Sequence, residues 1–149
     1  MSVLKHARHL TRRFFGSLSR RAPTSVDTAW VLGQLLAGEA ALWQQMSTQD
    51  RRHSIEVARR FAALVAEPTR AEMAGALLHD VGKTQSGLGT LGRVAATVIG
   101  PRTKRFRRYH EHEALGSEML RAAEADPATR AVIEGSGRAA QALRAADAI

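Results

Sequence analysis

Apolar positions recur at helical spacing along most of this chain. Val3, Ala7, Leu10, Phe14 and Leu18 fall on one side of a predicted helix over 3–18, with Lys5, Arg8, Arg12 and Arg13 on the others. Pro23 stops that pattern. Asp27 is the expected cap of a helix through Trp30, Leu32 and Leu36, ending near Gly38, and a shorter segment carries Ala41, Leu42 and Met46. Trp30 and Trp43 read as core anchors. Ser47, with Asp50 three positions on, has a capping-box form and opens a helix running to about Ala66, where Glu67-Pro68 ends it.

Thr69 is the expected cap of the next helix, which is nearly all apolar from Met73 to Val81. A helix apolar on every side is buried, and Gly75 inside it lets a neighbouring backbone come close. Glycines and polar residues in TQSGLGTLG mark a loop after Lys83. No Gly-Lys-Ser/Thr follows them, so this is not a phosphate-binding P-loop. Further helices are predicted over Leu91–Ile99, Glu111–Glu124, Ala128–Glu134 and Arg138–Ile149, separated by Gly100-Pro101, Asp126-Pro127 and the Gly135/Gly137 turn. No strand is predicted with comparable strength, and the fold class is all-α.

Length and composition narrow the picture. A chain of 149 residues is sized for one domain, here divided into a basic amphipathic N-terminal helix over 1–22 and a bundle over 23–149. Cysteine is absent, which excludes disulfides and thiolate metal sites. No apolar run reaches membrane-spanning length, and the basic N-terminus lacks the apolar core of a secretory signal. Its Arg-rich, acid-poor character also fits an organellar transit peptide, but a cytoplasmic protein is the simplest reading. The net charge of +8 favours anionic partners. The basic residues cluster over Lys5–Arg21 and Arg102–Arg108.

The chemistry centres on LLHDVGKT, where His79 and Asp80 stand side by side at the end of an apolar run. An imidazole and a carboxylate there are costly to desolvate unless something compensates them, and a metal ion does so. His53 shares one helical face with Val57, Phe61 and Leu64. His112 is in line with Leu115, Gly116, Met119 and Leu120, and Asp147 with Ala140 and Leu143. Each alone also reads as an ordinary satisfied core residue. Their coincidence with the His-Asp pair points to one site. Imidazole and carboxylate without sulfur suit Mn, Fe, Co, Ni, Zn or, less well, Mg. Water acidified by such an ion is a usable nucleophile near neutral pH, so the chemistry suggested is metal-assisted hydrolysis.

In order, RRHSIEVA, LLHDVGK, YHEHEALGSEML and ALRAADAI resemble the HD superfamily of metal-dependent phosphohydrolases over roughly residues 47–149. LLAGEAALWQQMSTQDRRHS and HDVGKTQSGLGTLGRVAAT resemble small actinobacterial HD-domain proteins, and the Ala- and Arg-rich composition agrees with a GC-rich bacterial genome. The resemblance implies a helical bundle with His53, His79, Asp80 and Asp147 as metal ligands. It implies Lys83 as a contact to substrate phosphate. His112 would serve a second metal, phosphate or a proton, with His110 exposed beside the basic stretch. Two-metal members carry a histidine shortly before the last helix, whereas VIEGSGRAAQ has none. One divalent ion is therefore expected, and a second is not. Asp147 stands two residues from the end of the sequence, where terminal turns fray and a longer parent is conceivable.

The leading expectation is a phosphohydrolase for a nucleotide or other small phosphate ester, with Asp80, Lys83 and His112 in the chemistry. Lys83, Arg105, Arg107 and Arg108 would bind substrate, although Arg102–Arg108 reads equally as a solvated linker. The alternative is a catalytically degenerate HD module that binds metal or nucleotide and acts through a partner. Two further readings remain open: peripheral membrane contact by the N-terminal helix, and nucleic-acid binding with Phe14, Phe15, Phe106 and Tyr109 stacking on bases.

Overall fold

Side-chain caps set four of the helix starts in this chain. The computed structural model describes residues 21–86 and 112–149, with side-chain surroundings for 21–83 and 115–149. Thr24, Ser47, Thr69 and Asp126 each accept a hydrogen bond from a backbone N–H of the first turn they precede. They open α1 (Ser25–Leu32), α3 (Thr48–Leu64), α4 (Arg70–Leu78) and α6 (Pro127–Ile133). The other α-helices among the described residues are α2 (Ala37–Gln45), α5 (His112–Ala122) and α7 (Ala140–Asp147), and a 3-10 helix runs over Val81–Ser86. Among the described residues the fold is all-α. None of these helices is long and apolar enough to cross a membrane.

Two local expectations change. Thr24 caps α1, and Asp27 is its reciprocal partner three residues on, accepting from the Thr24 backbone N–H. Leu36 starts α2 rather than continuing α1: its N–H donates to buried Glu39 at 2.8 Å. The predicted helices over 3–18 and Leu91–Ile99, the loop beyond Ser86, Arg102–Arg108 and His110 lie outside the described residues.

α4 is the centre of the bundle. From Ala71 to Leu78 every residue is buried, as an all-round apolar helix requires. It packs on α2, α3 and α6, while α7 lies across α3 and α6 and α5 covers the 3-10 helix. A Cβ built on Gly75 would meet Val132 Cβ at 2.8 Å and the Thr129 carbonyl at 3.2 Å. α4 and α6 therefore touch at a distance only glycine allows. Trp43, Phe61, Leu77, Leu78 and Leu120 fill the core. Trp43 is buried and donates through Nε1 to Ser54 Oγ at 3.0 Å. Trp30 is only partly buried, under the Arg59 guanidinium. Leu64, expected on the core stripe with Val57 and Phe61, is 53% exposed because it occupies the last residue of α3.

Candidate metal centre

His79 sits where α4 ends. It is the C-cap residue, and its Nδ1–H donates to the Ala76 carbonyl at 2.8 Å. That bond fixes the tautomer and turns the lone pair of Nε2 away from the helix, as in many metal-bound histidines. Nε2 is fully buried and has no hydrogen-bond partner of its own. The nearest carboxylate oxygens are Asp80 Oδ2 at 3.4 Å and Asp147 Oδ1 at 3.5 Å. An acceptor nitrogen left open in a buried position is costly in a native protein unless something else occupies its direction.

The other groups arrive from distant elements. His53, in the second turn of α3, places Nε2 2.9 Å from Asp147 Oδ1, and its ring centroid is 5.8 Å from that of His79. Asp147 closes α7. The ligand atoms of His53, His79 and Asp147 all lie within 4.8 Å of one another. Atoms bound to one ion at about 2.1 Å sit roughly 3.0–3.4 Å apart at adjacent corners. The 2.9 and 3.5 Å separations need little adjustment to meet that. Two imidazoles and a carboxylate also form a donor set suited to a borderline divalent ion. The residues present fit such an ion.

Asp80 and Lys83 lie on the α4 side. Lys83 Nζ pairs with Asp80 Oδ2 at 2.5 Å, one turn along the chain. Burial alone would push the Asp80 carboxyl up, but the charges of His79 and Lys83 outweigh it and hold the group well below the ordinary carboxylate range. Burial likewise disfavours a charged His79. Asp80 first, and then Asp147, outweigh that effect and raise its pKa. The site is therefore a concentration of negative charge around a nitrogen that will hold either a proton or a cation.

Residues 51–147 match the HD domain among known protein families. The chain belongs to the HD domain family. Neither a curated protein nor a solved structure gives a match. HD domains bind divalent metals and are generally hydrolases, and the cluster falls within the matched segment of this one. His112 begins α5, in a part of the helix whose side chains are outside the described set. Arg105, Arg107 and Arg108 lie outside the described residues altogether.

Two features of the HD domain here were missed in the sequence. Arg60 Nη1 donates to the Ala146 carbonyl at 2.7 Å, tying α3 to the turn that carries Asp147. Arg60 stands seven residues after His53, on the same helical stripe, and a cation there was a readable signal. Arg144 lines a cavity beside the cluster, three residues before Asp147 and on its face of α7.

Proposed function

We propose that this HD domain is a metal-dependent phosphohydrolase acting on a nucleotide or another small phosphate ester. The observation that carries the reading is His79 Nε2, buried, oriented by Ala76 and open toward His53 and Asp147. His53, His79, Asp80 and Asp147 would hold one divalent ion. Such an ion lowers the pKa of water and neutralises charge on a phosphoryl group. Asp80 pairs with Lys83, and Lys83 would offset charge that develops on phosphate. His112 is assigned to phosphate contact or proton transfer, and Arg105, Arg107 and Arg108 to substrate binding.

Elemental analysis of protein purified without chelator or metal-affinity resin tests occupancy directly. Protein loaded with Mn, Ni, Co or Mg is then assayed on a phosphoester panel, with Asp80→Ala alongside. Turnover by wild type and its loss in the variant is the expected result. Equal background rates for both with every metal overturn hydrolysis. A second reading, a binding module that acts through a partner, draws on the absence of histidine over 132–141. It predicts that metal or nucleotide raises the melting temperature with no turnover.

A further inference from the structure

Beside the metal cluster, α6 and α7 enclose a cavity of about 140 Å³. His79, Asp80 and Asp147 form its polar end, Val132, Ile133, Ala140 and Leu143 its apolar wall. Arg144 and Gly135 complete the lining. A Cβ built on Gly135, whose φ is +78°, would sit 3.6 Å from Arg144 Nη1, so the guanidinium lies against the glycine turn at the cavity edge. Arg144 and Asp147 leave α7 on one face, with Cβ atoms about 5–6 Å apart by helix geometry.

Among the described arginines without an acidic partner, Arg144 is the one that lines this cavity, and it contrasts with several paired ones. Arg59 pairs with Asp27, Arg70 with Glu39 and Asp126, Arg138 with Glu72, and Arg60 bonds Glu56 and the Ala146 carbonyl. Among the described residues the Arg144 guanidinium has no such acceptor. A cation next to a divalent ion is repelled by it, and an anion held between the two reverses the sign. The guanidinium fork suits two oxygens of one phosphoryl group. The wall beyond offers contact to carbon and no charge.

We infer that Arg144 binds the substrate phosphoryl group jointly with the metal, and that the apolar wall takes a compact apolar group esterified to it. The inference rests on the phosphohydrolase reading and narrows its substrate class to phosphate monoesters of that kind.

The test is calorimetric titration of Mn²⁺-loaded protein with phenylphosphonate, whose C–P bond resists hydrolysis, and with inorganic phosphate. Wild type should bind phenylphosphonate more tightly than phosphate. Arg144→Ala should weaken both by about tenfold or more, and Arg144→Lys should recover only part of the loss. Because Arg144 is exposed, both variants should melt as wild type does and bind Mn²⁺ at least as well. Anion affinity within twofold of wild type in Arg144→Ala overturns the inference, as does phosphonate binding no tighter than phosphate. Wild-type protein that takes up no Mn²⁺ overturns both this and the parent reading. Protein that binds Mn²⁺ and phosphonate through Arg144 yet cleaves no ester overturns hydrolysis alone.

Discussion

The cluster is held from two sides by different means. On the α4 side, His79 and Asp80 directly follow a helix buried along nearly its whole length, and the His79 side chain is 9% exposed. Its ring is oriented by a carbonyl three residues away in the same chain. On the α7 side, Asp147 is 35% exposed at the end of an eight-residue helix. A side chain from another helix, Arg60, holds that turn. The first candidate ligand is fixed by the core itself and the second by a tether. Loss of the first should therefore damage the site outright, while the second can be loosened by degrees.

The largest expected effect follows from removing the fixed ligand. His79→Ala should weaken divalent-metal binding by at least about 100-fold, more than loss of an outer hydrogen bond does, as read by calorimetry or elemental analysis.

Protons compete for the same nitrogen. The raised pKa of His79 makes its charge a stabilising feature of the metal-free protein below the unfolded-state value, and that contribution is lost as pH rises through the raised one. Asp80, depressed, stays ionised throughout this window. Metal binding should instead strengthen with pH, by up to about tenfold per unit below the His79 pKa. Melting curves with and without Mn²⁺ should therefore draw apart as pH increases; parallel curves would place the metal elsewhere.

Arg60→Ala cuts the tether and should cost about tenfold in metal affinity, with little change in melting of the metal-free protein. If it proves as damaging as His79→Ala, the two sides are not distinct. The smallest effect is expected at Thr69, the cap that starts α4. Thr69→Ala should lower stability by about 1 kcal/mol in chemical denaturation and leave metal affinity of the folded protein unchanged.

The helix pattern was legible because periodicity and caps are local. Ser47, Thr69 and the Asp126-Pro127 break stand where the pattern puts them, and His53 meets Asp147 as the shared faces implied. Departures arose where contacts decided the outcome. Asp27 and Thr24 both suit a cap, and α1 closes at Gly33 before Leu36 opens α2 through its bond to Glu39. Leu64 fits the stripe but outruns the surface beneath it. The roles of Arg60 and Arg144 depend on which helices lie adjacent, and periodicity within one helix carries no information about that.

The contact at Gly75 has one more consequence. α4 delivers His79, and α6 supplies Val132 and Ile133 to the cavity, so the bare backbone where they meet works as a ruler between ligand and wall. A bulkier residue at 75 would push α6 away from α4 and so widen the gap between His79 and the Val132–Ile133 wall. With glycine there the gap stays at its minimum, and further room for a bound group has to come from the α7 side, where Leu143 lines the cavity.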